Sequence, residues 1–480
     1  MTALDTNDQK VSAPLENERS GDTLLARFGR WWGRKGEADD QGDGRTDGRS
    51  APADSAAAAP PLSARVLRRQ REQLRQCFDA RLTDGAANAA ARAWQQEYEA
   101  SDEPARQAML GVLAEVAAHG SEPSGPSASP NSGLSQALSN ARIRFFKRMA
   151  ALHGQQGGSA CGLHFLIQLR ADMLRWHKRI AGLRTLDEDL EALFSNWFDV
   201  GLLELQPITW DSPASLLEKL IRYEAVHEIA SWTDLRNRLD SDRRCYAFFH
   251  PRIPREPLIF VEVAFVPEMS ANVQALLDEA APLEDLRRVK WAIFYSISNT
   301  QAGLRGVSFG NFLLKRVIEE LQREFPKLKQ FATLSPIPGF ADWLRRQGAD
   351  AVAQVLGEKR LARWRERHGD APGDGAAWLA ALVPDSQDAV LRDTALALAA
   401  HYLVRERQHA LPADPVARFH LGNGACVERL NWGADLSRKG RTQACGMMVN
   451  YLYAPDALDD NLARLGEGNP RVSRAVSKLL

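Results

Sequence analysis

Between about residues 62 and 200, apolar positions recur at helical spacing, as with Leu163, Leu166, Leu169 and Leu174, in a stretch rich in Ala, Leu, Arg and Glu. This predicts an all-helical bundle over 62–200 whose work is packing or oligomerisation. Within it, "GSEPSGPSASPNSG" (120–133), dense in Pro, Gly and Ser, reads as a loop between helices. After about residue 201 the texture changes. "CYAFFHP" (245–251), "PLIFVEVAFV" (257–266) and "VKWAIFYSIS" (289–298) are short β-branched and aromatic runs bounded by proline or charge. "KQFATLSP" (329–336), "GACVERLNW" (424–432) and "MMVNYLY" (447–453) repeat the pattern. These runs predict strands, with helices at about 309–324, 374–383 and 385–409. Residues 201–480 therefore read as a mixed α/β domain with a largely antiparallel sheet, and the whole chain as α+β, a helical bundle followed by that domain.

The first 61 residues mix Gly, Asp, Ser, Ala and Pro without apolar periodicity and are expected to form a disordered tail. Its stretch "LLARFGRWWGRK" (24–35) is basic and aromatic but lacks the apolar core of a secretory signal. A chain of 480 residues, 44% hydrophobic, has enough apolar material for two folded domains. Lys and Arg total 61, as do Asp and Glu, so no charge excess argues for nucleic acid, and no apolar run approaches the roughly 18 residues of a membrane span. The five cysteines are scattered without a C-x-x-C, and His153, His164 and His177 do not fall at the i, i+4 spacing of a helical zinc site. Free thiols and no metal are expected.

Candidate chemistry centres on "RGVSFGNFLLKR" (305–316). A strand ("AIFYSIS") runs into a glycine-bearing turn and then into a helix with Leu314, Val317, Ile318 and Leu321 on one stripe. The N–H groups of a helix's first turn carry partial positive charge, and Gly306 and Gly310 let backbone approach an anion closely, so a pyrophosphate suits this turn. No Lys-[Ser/Thr] follows as in a P-loop, and no G-x-G-x-x-G stands in a βαβ setting.

"RGVSFGNFLL" resembles the acyl-coenzyme A pyrophosphate loop of the GNAT acyltransferase superfamily, R-G-x-G-x-G-x-x-L-L, with Ser308 where the middle glycine stands. "FYSISNTQAGLRGV" (294–307), "LSPIPGF" (334–340) and "DPVARFHLGNGA" (414–425), in that order, resemble the malonyl-CoA decarboxylase family. So do "EAVHEI" (224–229), "RRCYAFFHP" (243–251) and "CGMMVNYLY" (445–453), and the likeness spans roughly 200–455. It implies a helical amino-terminal domain, a GNAT-like catalytic domain, and decarboxylation of malonyl-CoA to acetyl-CoA and CO2 without a cofactor, the thioester itself being the electron sink. By the resemblance Ser335 and His420 are catalytic and meet at the acyl end of the substrate, Ser335 either hydrogen-bonding the carboxylate or relaying the proton. Arg305, Gly306, Val307, Ser308, Phe309, Gly310 and Asn311 form the coenzyme A pyrophosphate turn, and Ser296 and Tyr453 line the acyl pocket. Ser308 departs from the family's animal members, which carry a carboxylate there. The resemblance also implies a homo-oligomer, with a tetramer among its forms. An amine acyltransferase and a non-catalytic coenzyme A-binding protein are the alternatives, against which the "SPIPGF" and "RFHLGNG" blocks count. The ending "SKLL" sets Ser-Lys-Leu one residue short of the terminus, and Asp5, Asp8 and Glu16 are foreign to a transit peptide, so a cytoplasmic location is expected.

Overall fold

Ser63 and Thr83 each accept the N–H three residues ahead, so the chain enters α1 (Ala64–Phe78) and α2 (Asp84–Ala100) through side-chain N-caps. They are followed by α3 (Glu103–His119), α4 (Ser132–Ala151), α5 (Gly162–Trp176) and α6 (Leu183–Trp197). The computed structural model describes residues 63–79, 81–119, 132–154, 161–307 and 313–480. The expected tail over 1–61, its stretch 24–35, and residues 120–131 of the expected loop lie outside the described residues. Trp94 anchors the bundle, meeting Phe145 and Phe165 edge-on at 6.2 and 6.0 Å between ring centres.

The second half opens with β1 (Glu204–Ile208), α7 (Ala214–Tyr223), α8 (Trp232–Arg238), β2 (Arg243–His250), β3 (Ile253–Val266), α9 (Val273–Leu277) and β4 (Trp291–Asn299). It continues through α10 (Leu313–Glu324), β5 (Gln330–Thr333), β6 (Ser335–Pro336), α11 (Phe340–Arg345), α12 (Ala349–His368), α13 (Gly375–Ala381) and α14 (Ala389–Val404). A small hairpin, β7 (Arg407–Gln408) with β8 (Leu411–Pro412), leads to α15 (Pro415–Gly422), β9 (Cys426–Asn431), α16 (Arg438–Ala444), β10 (Met448–Tyr453), α17 (Leu458–Gly466) and α18 (Arg474–Ser477). All of the predicted strands are present within a few residues of their expected limits. The pattern misses β1, an edge strand holding Pro207 and burying only Ile208 fully. The helix predicted over 385–409 is shorter at both ends. Asp388 caps its start, and His409 and Ala410 take positive φ (51° and 65°) to turn the β7–β8 hairpin.

The main sheet runs β1-β2-β3-β4-β5-β10-β6, with β9 also on β10. Only β4 and β5 are parallel, in register from Trp291↔Gln330 to Phe294↔Thr333. The last link between them is Leu334 N–H to the Phe294 carbonyl at 3.0 Å. Beyond it the neighbours part: β4 continues on β3, while the other chain shifts across to β6 and pairs with β10. The pairing of the two parallel strands thus stops at their carboxyl ends, the side where ligands bind such sheets. One sheet face, with Phe248, Val263, Phe294, Tyr451 and Tyr453, shares a continuous apolar core with α10, α15 and the bundle. The other, with Ala247, Phe249 and Phe260, packs on α7 and α8.

Candidate active site

The strand period places Thr333 and Ser335 on the same side of the sheet, the side facing α15. Ser335 Oγ lies 2.8 Å from Thr333 Oγ1, which also accepts the Tyr451 N–H at 3.1 Å. On its other flank Ser335 Oγ lies 3.1 Å from His420 Nε2. His420 Nδ1 lies 2.8 Å from the Tyr453 hydroxyl. The imidazole stacks on Tyr451, 4.6 Å between ring centres and 28° from parallel. Ser335, His420 and Tyr453 are all buried.

Burial pushes the His420 imidazole down to about 3, so it is neutral at physiological pH, and the same burial holds the Tyr453 phenol well above its ordinary value. A neutral imidazole has one N–H. With Tyr453 donating to Nδ1, the Nε2–H donates to Ser335, whose own proton goes to Thr333. With the order reversed, Nδ1–H donates to Tyr453 and Ser335 donates to Nε2. Either way the four side chains form a continuous hydrogen-bonded line from Tyr453 through His420 and Ser335 to Thr333, close to where the pairing of β4 with β5 stops.

Two elements set that geometry. Asp414 caps α15, accepting the N–H groups of Val416 and Ala417 at 2.9 Å each, with Pro415 at the first helical position. Its second oxygen takes the Gly339 N–H at 3.4 Å, which ties the His420 helix to the turn after Ser335. Burial pushes the Asp414 carboxyl up to about 6 against the pull of those N–H groups. Gly339 is required by close approach, since a Cβ there would overlap the Tyr402 hydroxyl.

The model of the malonyl-CoA decarboxylase C-terminal domain matches residues 201–480, and that of the N-terminal domain matches 111–198. The chain belongs to the malonyl-CoA decarboxylase family. It is 38% identical over 335 residues to the mitochondrial malonyl-CoA decarboxylase of Rattus norvegicus, covering 66% of this chain and 68% of that protein. The counterpart from Anser anser anser is 37% identical over 354 residues, 70% of each. Among solved structures, malonyl-CoA decarboxylase from Cupriavidus metallidurans is 80% identical with a TM-score of 0.78, covering 87% of this chain and all of that one. The enzyme from Rhodopseudomonas palustris is 38% identical with a TM-score of 0.69 over the same shares.

In this malonyl-CoA decarboxylase family member the residues singled out in the sequence do not all meet. Ser335, His420 and Tyr453 do. Ser296 lies on β4, on the other side of the sheet. The register slips between Glu262 and Val263 of β3, so Tyr295 is an extra residue that turns Ser296 and Ser298 to the α7 side. There Ser296 Oγ lies 2.8 Å from both oxygens of the buried Glu224 carboxylate, and Ser298 Oγ lies 2.9 Å from one. Glu224 also accepts the N–H groups of Val226 and His227. Of the turn, Gly306 takes φ +94° and Val307 is buried. Arg305, like Gly306 and Val307, is described, whereas Ser308, Phe309, Gly310 and Asn311 lie outside the described residues. Thr333, Tyr451 and Asp414 were not anticipated. Thr333 and Tyr451 could have been found at two residues' remove from Ser335 and Tyr453, and Asp414 from the Asp-Pro start of a helix. Among the described residues no group of three or more His, Cys, Asp or Glu could hold a metal ion, and no helix is long and apolar enough to cross a membrane.

Proposed function

We propose that the line Tyr453, His420, Ser335 and Thr333 is the reaction centre of a malonyl-CoA decarboxylase. The reaction breaks the bond between the α-carbon and the carboxylate of malonyl-CoA. The electron pair passes into the thioester carbonyl, CO2 leaves, and the resulting enolate takes one proton at carbon to give acetyl-CoA. The observation that carries the assignment is a buried imidazole hydrogen-bonded on both nitrogens, to Ser335 on one side and Tyr453 on the other.

Neutrality has a chemical consequence. An imidazolium beside the malonyl carboxylate would form an ion pair and stabilise the ground state, whereas an uncharged pocket leaves the carboxylate poorly solvated and favours its loss as CO2. The enolate is then basic enough to take a proton from Ser335. Ser335 recovers it from Nε2, His420 from Tyr453, and solvent restores the last, so one proton is consumed per turnover. Residues 305–311 receive the pyrophosphate of the substrate, and its acyl end reaches Ser335. Ser296, fixed by Glu224, forms the far wall. The reaction needs no cofactor, because the thioester accepts the electrons. A homo-oligomer assembled through residues 62–200 and a cytoplasmic location complete the reading.

Purified protein given malonyl-CoA, without an acceptor amine or added metal, is expected to release acetyl-CoA and CO2 one for one. Ser335→Ala and His420→Ala should each lower kcat by about 10²–10⁴-fold. Survival of malonyl-CoA in a protein that still binds coenzyme A would overturn the assignment and turn attention to amine acceptors.

A further inference from the structure

At the end of β5 the ladder with β10 breaks. Leu452 and Tyr453 of β10 pair with β5, and Met448 and Val449 pair with β6, while Asn450 and Tyr451 fall between. On the opposite edge of β10 the register with β9 also shifts between these two residues. Side chains fill the gap. Thr333 Oγ1 accepts the Tyr451 N–H at 3.1 Å, and Asn450 Nδ2 donates to the Thr333 carbonyl at 2.7 Å. Asn450 is fully buried, and its amide is saturated. Nδ2 also donates to the Ser270 carbonyl at 3.1 Å, and Oδ1 accepts Arg429 Nε at 3.0 Å and Asn431 Nδ2 at 2.8 Å. An arginine only donates and a carbonyl only accepts, so these neighbours admit one orientation of the amide. Arg429 is itself braced on the carbonyls of Met269 and Ser270, at 2.8 and 3.0 Å.

We propose that Asn450 is a positioning residue for the reaction: by holding the main chain of Thr333 it sets where Ser335 stands against His420. This rests on the reading of Ser335 and His420 as the reaction centre. Tyr451 stacks on His420, so the strand period turns Asn450 to the opposite side of the sheet, from which it acts through the backbone. Thr333 is held twice, its carbonyl by Asn450 and its hydroxyl by the Tyr451 N–H, at the point where the chain crosses from β5 to β6. Ser335 follows two residues later, its Oγ 2.8 Å from Thr333 Oγ1 and 3.1 Å from His420 Nε2. Rotation of the peptide that carries the Thr333 carbonyl would swing Ser335 with it, and a displacement of about 1 Å at a reacting group costs about 10²-fold in rate. Arg429 and Asn431 serve the same end at one remove. Without donors on Oδ1 the amide would be free to turn over and set oxygen against oxygen at Thr333.

The test reads Asn450→Asp, which keeps the size of the side chain and an acceptor for Arg429 but opposes oxygen to the carbonyls of Thr333 and Ser270. In the folded variant kcat for malonyl-CoA should fall about 10–100-fold with KM within about threefold of the parent, the pattern of a defect felt at the acyl end. A double-mutant cycle identifies the route. On a Ser335→Ala background, Asn450→Asp should lower kcat by no more than about twofold further, because the residue it positions is already gone. Arg429→Gln leaves the amide with Asn431 as its remaining donor and covers the case in which Asn450→Asp does not fold. Its kcat should fall by about 3–10-fold, again only where Ser335 is present. Parental kcat in a folded Asn450→Asp, or in Arg429→Gln where Asn450→Asp does not fold, would overturn the proposal, as would equal losses with and without Ser335. Asn450 would then only hold the sheet together, lowering the denaturation midpoint when it is replaced. A fully active Ser335→Ala would instead overturn the reading of the reaction centre, and the role of Asn450 with it.

Discussion

Tyr453 gives His420 a hydrogen-bond partner that does not titrate near neutrality, because burial holds its phenol well above the ordinary value. Removing that hydroxyl leaves Nδ1 buried without its partner while the stacking on Tyr451 remains. Tyr453→Phe is therefore expected to lower kcat by about 10–100-fold, within the range of a weakened proton relay, and to leave KM for malonyl-CoA nearly unchanged. A full kcat in this variant would remove Tyr453 from the relay. His420 itself makes a pH statement. Its folded pKa lies at about 3, against about 6.5 in the unfolded chain. No limb at 6.5 in the pH profile of kcat/KM should belong to His420. As pH falls below 6.5, the unfolded state binds a proton that the folded state refuses, so stability is lost downward from that point. Between pH 7 and 5 the parent should lose about 2 kcal/mol more than His420→Gln, by denaturant titration at each pH.

At the scale of elements, α15 and the turn after β6 must be held together for Ser335 and His420 to stay in hydrogen-bond reach, and Asp414 is the side chain that touches both. Asp414→Ala removes the cap and is expected to cost about 1–2 kcal/mol in stability. Its kcat should fall more steeply than stability explains, because a small displacement of α15 breaks the contact of Nε2 with Ser335. Asp414→Asn keeps an acceptor oxygen for Val416 and Ala417 and should recover most of both. Comparing kcat at a temperature where all three proteins are fully folded decides this, and equal activity in Asp414→Ala would dissociate the cap from catalysis.

What was legible in the sequence follows the same division. The strands of the sheet were readable because β2, β3, β4 and β10 are buried on both faces and so appear as unbroken apolar runs. The helix α15 was not, since "DPVARFHLGNG" is short and its start is marked only by Asp414 and Pro415. Ser335, His420 and Tyr453 were found through resemblance to a family, since no local pattern separates a serine before a proline from an ordinary turn residue. The grip of Glu224 on Ser296, across 72 residues, and of Arg170 on Arg305, across 135, have no signature at all in local periodicity. The β4 bulge that decides which face Ser296 occupies is likewise a property of the pairing with β3.

The whole molecule is more tightly joined than a division at residue 200 implies. One apolar core includes Leu166 and Phe194 of the bundle with Phe248 and Phe294 of the sheet. Polar links reinforce the join: Arg316 on α10 donates to the carbonyls of Val200 and Leu203 at 2.6 and 2.7 Å, and Arg252 reaches the Ala150 carbonyl. Cutting the chain at 200 would uncover an apolar face of the kind that drives association, and would strip the turn at 302–307 of Arg170. Residues 201–480 expressed alone are therefore expected to aggregate or to unfold at low denaturant, although they contain Ser335, His420 and Tyr453. The full chain should unfold with its bundle and sheet in a single transition. Intrinsic tryptophan fluorescence reports both halves, through Trp94 and Trp176 in the bundle and Trp343 and Trp378 in the second half, and far-ultraviolet circular dichroism follows the helices. Two well-separated transitions, or a soluble and active 201–480 fragment, would show that the shared core contributes little. In that case the bundle would be left with the contacts between copies of the chain as its main work, which a comparison of native mass with and without residues 62–200 would detect.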